Sequence, residues 1–143
     1  MKSLQTHSSE ETTDLGRQLA GEIRPGSIVL LRGDLGAGKT TLIKGIAEGF
    51  NAAEAEAVTS PTFTLIHEYR GPEVTLYHID LYRIDTQREL DTLALDDLME
   101  PNTILLIEWG EKFERFRKER DVEIAIEQLG GDNRVIQVTP RHL

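Results

Sequence analysis

The sequence predicts an α/β fold in which helices flank a mixed, largely parallel sheet. One observation is a short aliphatic run, residues 28–31, which has no polar alternation and leads straight into a glycine-rich segment and then a helical pattern. A second is the alternation of strand-like and helical segments along the rest of the chain. A third is the length of 143 residues without an internal repeat or linker, which predicts a single domain over residues 1–143.

The first part of the chain predicts a helix, a strand and a second helix. Ser8 and Glu11 match a capping box, and apolar residues then recur every four positions until the breaker at 24–26: Leu15, Leu19 and Ile23. Residues 28–31 are typical of a strand that is covered on both faces. Helical spacing returns after the glycines, at Leu42, Ile43, Ile46, Ala47 and Phe50, and a loop of small residues, 51–57, follows.

The middle of the chain predicts a hairpin, a short helix and a buried strand. Residues 62–69 and 74–80 are rich in strand formers and are joined by turn residues 70–73, which indicates an antiparallel hairpin. Thr86 and Glu89 match a second capping box, and the helix that follows ends before Pro101. Its inward residues are predicted to be Leu90, Leu93, Ala94 and Leu98. Residues 104–107 predict the buried strand.

The last third predicts a charged helix and two strands. The helix surrounds Phe113 and Phe116, and the basic and acidic residues of 111–121 are interpreted as a solvated helix face. The first strand alternates through Val122, Ile124 and Ile126. A turn at 130–133 leads to a final strand through Val135 and Val138.

The composition favours a protein partner or a small ligand over a nucleic-acid backbone. The chain has 16 Lys and Arg against 25 Asp and Glu, a net charge of −9, which argues against a broad basic face. The absence of cysteine excludes disulfides and thiolate metal sites. Residues 1–7 lack a signal-peptide core, and the longest aliphatic runs are too short to span a membrane. We therefore predict a cytoplasmic protein without a membrane partner.

The glycine-rich segment matches a phosphate-binding loop, Gly33-x4-Gly38-Lys39-Thr40. Its small residues let successive backbone N–H groups wrap the phosphates of a nucleotide. Lys39 supplies a mobile cation, and the hydroxyl of Thr40 is a ligand for Mg²⁺. The motif stands between a strand and an amphipathic helix, as its mechanism requires, so the sequence predicts a P-loop NTPase-like fold.

Two acidic residues end predicted strands and are candidates for hydrolysis and for the metal. Asp80 ends the strand 74–80, and Glu108 follows the strand 104–107. A solvated carboxylate at a strand end remains the alternative for each. His78 lies two residues before Asp80 and projects to the same face of its strand, although a lone histidine there is as often structural. Trp109 is more often a packing residue.

The base is predicted to be adenine, because no Asn/Thr-Lys-x-Asp element follows the phosphate-binding loop. The hydroxyls of residues 60–63, Ser-Pro-Thr-Phe, are candidates for sensing a γ-phosphate, as switch segments do. An ordinary turn into the next strand is nearly as good an interpretation of these four residues.

Four motifs in order resemble the bacterial TsaE (YjeE) family: residues 33–41, 60–63, 78–83 and 107–111. That family is the small ATPase of the tRNA N6-threonylcarbamoyladenosine (t6A) pathway. The resemblance implies ATP and Mg²⁺ as cofactors and the TsaD and TsaB proteins as partners, with tRNA reached only indirectly through that complex. Residues 112–120 depart from the family's shorter, proline-containing connection.

The resemblance also implies roles for single residues. The loop residues that would hold the ATP phosphates are Gly33, Gly36, Ala37, Gly38, Lys39, Thr40 and Thr41. Thr40, Asp80 and Glu108 would lie on Mg²⁺, with Asp80 and Glu108 taking part in hydrolysis. Arg134 would lie near the nucleotide and Thr12 near the adenine. Trp109 would support the acid or face the partner.

Two other functions remain open from the sequence. A small-molecule kinase would use the same loop to transfer the γ-phosphoryl group, with Arg115, Arg117 and Arg120 as a lid, and would yield a phosphorylated acceptor rather than free phosphate. A nucleotide-gated binding module would bind ATP without appreciable turnover even with its partners present.

Overall fold

The computed structural model describes residues 2–34, 36–52, 58 and 65–140. The strands are β1 Lys2–Thr6, β2 Ile28–Arg32, β3 Ile66–Arg70, β4 Thr75–Asp80, β5 Thr103–Glu108, β6 Val122–Gly130 and β7 Asn133–Pro140. The helices are α1 Ser9–Ala20, α2 Lys39–Gly49, α3 Gln87–Thr92 and α4 Glu114–Glu119. Short 3-10 turns, Leu95–Leu98 and Gly110–Lys112, precede β5 and α4.

The seven strands form one mixed sheet in the order β1-β7-β6-β2-β5-β4-β3. The four central strands, β6, β2, β5 and β4, are parallel, and the three outer pairings are antiparallel. The α/β class is therefore confirmed, while the sheet is only partly parallel. Its register places Leu31 and Asp80 on either side of Glu108, so the carboxyl ends of β2, β5 and β4 meet at one edge.

Helices α1 and α2 pack together on one face of the sheet, over a core that includes Leu19, Leu31 and Ile46. The predicted capping box is confirmed, since the Ser8 hydroxyl accepts a hydrogen bond of 3.0 Å from the Glu11 N–H. The two helices cross in close contact at glycines. A Cβ atom on Gly45 would overlap the backbone of α1, because the Thr13 carbonyl occupies that space. This crossing fixes the position at which α2 begins.

The opposite face of the sheet is covered by α3, α4 and the 3-10 turns. Phe116 of α4 is completely buried there, and Leu90 of α3 is buried with it. The second capping box is also confirmed, because the Thr86 hydroxyl accepts from the Glu89 N–H at 3.1 Å. The inward placement of Ala94 is wrong: it is exposed with a φ of +49°, because α3 ends at Thr92 and the chain turns there.

Strand β1 is absent from the sequence-based prediction. Its five residues, Lys2–Thr6, include a single aliphatic side chain, so they carry no strand pattern. They form a strand because they pair with β7, more than 125 residues away along the chain. Within the described part of the chain, no helix is both long enough and apolar enough to cross a membrane.

Candidate nucleotide-binding site

The candidate phosphate-binding loop connects β2 to α2 at the carboxyl edge of the sheet. Gly38 caps α2 with a φ of +107°, a conformation that favours glycine. Ala37 is buried, and its N–H donates to the Asp34 carbonyl at 3.0 Å. The first turn of α2 carries no acidic residue. The loop therefore presents the positive end of a helix dipole to the edge where the strand-end acids lie, which suits a bound anion.

Lys39, the first residue of α2, is buried to 6% exposure and crosses the loop. Its Nζ donates to the Gly33 carbonyl at 2.6 Å and lies 3.4 Å from Oε1 of Glu108. The same Nζ stands 4.7 Å from the centre of the Trp109 ring, a cation–π distance. A carbonyl, a carboxylate and an aromatic ring therefore surround the Lys39 cation at the start of α2.

Glu108 ends β5 and is 5% exposed. Its Oε2 accepts a hydrogen bond of 2.5 Å from Nε2 of His78, while Oε1 faces Lys39. Burial by itself raises the pKa of Glu108, but the hydrogen bond and charge of His78, followed by those of Lys39, outweigh burial and hold the pKa below 4.5. Glu108 is therefore a carboxylate at neutral pH.

Asp80 ends β4 directly beside Glu108 in the sheet register. Its side chain is buried, and Oδ1 accepts from the Tyr82 N–H at 2.8 Å, which fixes the turn after the strand. Carboxylate and hydroxyl oxygens suit Mg²⁺, and Thr40 follows Lys39 at the start of α2. The part of the chain that the structure describes holds no ready-made group of three His, Cys, Asp or Glu ligands, so water and phosphate oxygens would have to complete a magnesium shell.

Thr12 and Arg134 lie against the other side of the loop. The Arg134 guanidinium donates through Nε to the Ala37 carbonyl at 2.7 Å. Thr12 is buried, and its hydroxyl lies 2.7 Å from the Thr6 hydroxyl. The Thr12 hydroxyl also donates a hydrogen bond of 3.2 Å to the Ser8 carbonyl. A small cavity of about 30 Å³ joins them to the loop, lined by Ser9, Thr12, Gly38, Thr41, Asp132 and Arg134. The fold thus brings both residues to the loop from distant parts of the chain.

Two larger openings flank Gly33 and Asp34. One, of about 390 Å³, extends from Trp109 and Glu111 across β6 and β7. The other, of about 670 Å³, runs along the end of β6 to Gly130. Space for a ligand larger than phosphate therefore exists beside the loop, along the end of β6.

Sequence reasoning missed three contacts of this site. It did not pair His78 with Glu108, which lie 30 residues apart. It did not place the Trp109 ring over Lys39, a position that depends on the left-handed backbone of Trp109, φ +64°. It interpreted Lys112 as solvated, whereas the Lys112 Nζ donates to the Leu81 and Tyr82 carbonyls at 3.1 Å. Among these three contacts, the sequence pattern hinted only at a role for His78, through its two-residue spacing from Asp80 on one face of a strand. Residues 60–63 lie outside the described residues.

Comparisons with known proteins find relatives over nearly the whole chain. The family model described as "Threonylcarbamoyl adenosine biosynthesis protein TsaE" matches residues 6–136. A protein named "tRNA threonylcarbamoyladenosine biosynthesis protein TsaE" from Bacillus subtilis is 39% identical over 141 residues, covering 97% of this chain and 87% of that protein. Proteins of the same name from Rickettsia conorii and Nostoc are 36% and 38% identical, covering 95% and 92% of this chain and 77% and 81% of theirs. The solved structure titled "Crystal structure of Bacillus subtilus YdiB" superposes with a TM-score of 0.75 at 36% identity, over 97% of this chain and 84% of that one.

Proposed function

This chain belongs to the TsaE family, and from that premise we propose that it binds and hydrolyses ATP with Mg²⁺ as an accessory protein of tRNA t6A modification. The relatives are named for threonylcarbamoyladenosine biosynthesis, which supports the pathway. We further propose that it acts in the cytoplasm with the TsaD–TsaB complex and reaches tRNA only through that complex. The net charge of −9 agrees with an indirect role toward tRNA.

The observation that carries the proposal is the buried Lys39–Glu108 pair between a glycine-rich loop and two strand ends. A buried lysine and a buried carboxylate are costly to keep in a fold that needs only packing. Lys39 lies at a helix N-terminus and Glu108 at the facing strand end, which gives both a use: the lysine would bind phosphate oxygens, and the carboxylate would act on the metal or the attacking water. The loop residues proposed to hold the phosphates are Gly33, Gly36, Ala37, Gly38, Lys39, Thr40 and Thr41.

In the proposed reaction the residues divide into binding and chemistry. The cation of Lys39 moves from Glu108 toward the phosphates and compensates their charge. Thr40, Asp80 and Glu108 would hold Mg²⁺, which neutralises charge on the transferred group when bound. Once Lys39 has moved away, Glu108 can orient a water molecule or complete the metal shell. Thr12 and Arg134 are proposed to contact the rest of the nucleotide.

The isolated chain should hydrolyse ATP slowly. The described residues nearest the loop include one buried cation, Lys39, and the guanidinium of Arg134 is engaged with backbone carbonyls at 2.7 Å and 3.0 Å. Groups that stabilise the transferring phosphoryl often arrive from a partner protein. We therefore propose that the TsaD–TsaB pair completes the site.

The test begins with ATP titrations of wild type and Lys39→Ala at fixed Mg²⁺, with folding confirmed by circular dichroism. Each charge-assisted hydrogen bond is worth about 1.5–3 kcal/mol, so affinity should fall about tenfold or more. Phosphate release is then measured with and without TsaB and TsaD, together with t6A formed on tRNA. Equal ATP affinities would refute the phosphate loop, and an unchanged t6A yield without this chain would refute the pathway.

The same assays separate the two other functions. A kinase would yield a phosphorylated acceptor, and a binding module would show negligible phosphate release with TsaB and TsaD present. Two of the arginines proposed as a kinase lid are engaged within the α4 region: Arg115 pairs with Asp96 and Glu119, and Arg117 donates to the Glu111 carbonyl at 2.6 Å. Those contacts favour a structural role for them.

A further inference from the structure

His78 is a completely buried histidine, and the ring of His67, its register partner on β3, lies edge-on to it with the ring centres 6.4 Å apart. It shares its face of β4 with Leu76, and it lies opposite Leu106 of β5 in the register. Both leucines belong to the core beneath α1 and α2. An aliphatic side chain would satisfy packing at this position, so the imidazole needs another explanation.

The hydrogen bonds of His78 identify what the imidazole contacts. Nε2 donates to Oε2 of Glu108 at 2.5 Å, with both side chains buried. Nδ1 has no hydrogen-bond partner among the described residues. Burying a ring nitrogen without a partner costs free energy, which argues that the residue is retained for the bond that Nε2 makes.

The two oxygens of Glu108 are held by different elements. Oε2 is held by His78, whose ring is fixed within β4, and Oε1 lies 3.4 Å from Nζ of Lys39 at the start of α2. Lys39 has a long side chain that phosphate oxygens would attract. The contact at Oε1 is therefore exchangeable, whereas the contact at Oε2 is anchored in the sheet.

We infer that His78 is a positioning residue, which fixes the Glu108 carboxylate through Oε2 so that Oε1 stays directed at the phosphate loop when Lys39 moves to the phosphates. The inference rests on the proposed ATPase function, because it assigns the held carboxylate to that reaction. Without His78, the Glu108 side chain would be free to change rotamer as soon as Lys39 released it. The loss should then appear in the rate of hydrolysis rather than in nucleotide binding.

The first experiment measures kcat and KM for ATP in the full chain with TsaB and TsaD, for wild type, His78→Leu and His78→Gln. Loss of a residue that orients a ligand side chain typically costs about 10- to 100-fold. We expect His78→Leu to lower kcat by that factor with little change in KM. His78→Gln should restore most of the rate, because its amide N–H can replace the Nε2 donor. Leu76→Val, on the same face of β4, is the matched control for a core change without this hydrogen bond, and it should keep the wild-type kcat.

The second experiment does not depend on activity. A buried imidazole N–H that donates to a carboxylate is protected from exchange and has its proton shifted downfield in the NMR spectrum, and we expect such a resonance in the ligand-free chain. It should vanish in His78→Leu and shift upfield in Glu108→Gln. Its absence from wild type would overturn the inference, as would a His78→Leu variant with wild-type kcat or equal losses in His78→Leu and His78→Gln. A wild-type chain that shows the resonance yet hydrolyses no ATP with its partners would overturn the proposed function and leave the contact intact.

Discussion

The ion pair between Lys39 and Glu108 should stabilise the ligand-free protein. A double-mutant cycle can measure the coupling energy between the two side chains. Both side chains are 6% exposed, and Nζ lies 3.4 Å from Oε1. At an effective dielectric constant of about 20, two unit charges at this separation attract by about 5 kcal/mol before desolvation is subtracted. Coupling energies measured for contacting residues reach about 3 kcal/mol. We expect a coupling energy of about 2 kcal/mol for this pair, because His78 still partners Glu108 when Lys39 is removed.

The assay is urea unfolding of wild type, Lys39→Met, Glu108→Gln and the double variant, without nucleotide. Each single change should destabilise the fold by leaving a buried charge with fewer partners. The double variant should lose about 2 kcal/mol less than the two single losses added together.

The exposed pair Lys118–Glu114 provides the control for this cycle. It has the same charges at a shorter distance, 3.0 Å, but its side chains are 72% and 69% exposed. Its coupling energy should be about 0.3–0.5 kcal/mol, as is typical of solvent-exposed ion pairs on helices. A coupling between Lys39 and Glu108 no larger than this control would refute the reasoning that burial makes the pair strong.

Four further outcomes follow from the same structure. The pKa of Glu108 is lowered by folding, so its charge contributes stability above about pH 4.5 that is lost as the pH falls through the folded-state pKa. Unfolding free energies measured in urea at a series of pH values should therefore fall less steeply below about pH 4.5 in Glu108→Gln than in wild type. An unchanged pH dependence would contradict this. Gly45→Ala should lower the free energy of unfolding by about 3 kcal/mol or more, because the added Cβ would meet the backbone of α1. Gly21→Ala, at a position with φ −71°, is the control and should be nearly neutral. Similar losses of unfolding free energy in the two variants would contradict the close helix crossing. Asp80→Asn should lower phosphate release about tenfold or more while ATP binding persists, and wild-type release would remove Asp80 from the reaction. Trp109→Ala should reduce the proposed stimulation of phosphate release by TsaD–TsaB more than it reduces ATP affinity. A larger loss of ATP affinity than of stimulation would instead assign the ring to nucleotide binding alone.

The local parts of the fold could be predicted from the sequence because their interactions span few residues. The capping boxes at Ser8 and Thr86 join a side chain to a backbone N–H three residues ahead, so a short pattern contains the whole interaction. The phosphate-loop motif is equally contiguous. Ala94 shows the limit of periodicity, since a left-handed residue ends the helix that its spacing would continue.

The remaining parts depend on strand order, which the sequence pattern does not contain. β1 is a strand because β7 offers it an edge, and its own five residues carry little apolar signal. The contact of His78 with Glu108 likewise requires β4 to lie beside β5. Arg134 reaches the loop only because β7 returns antiparallel to β6. The sequence therefore identified candidate residues, and the topology determines which of them touch.

The position of β5 between β2 and β4 explains why Glu108 is the central residue of the candidate site. β2 leads into the loop that carries Lys39, and β4 ends at Asp80, so a carboxylate at the end of the strand between them can reach both neighbours. The chain then turns sharply at Trp109, φ +64°, which returns the indole ring over the Lys39 cation. Tyr82, which is 45% exposed, also contacts the indole ring, with the two ring centres 5.2 Å apart and the ring planes tilted by 53°. Movement of Lys39 toward a ligand would change the contacts of an aromatic pair that reaches solvent through Tyr82, which gives the loop a physical route to the surface.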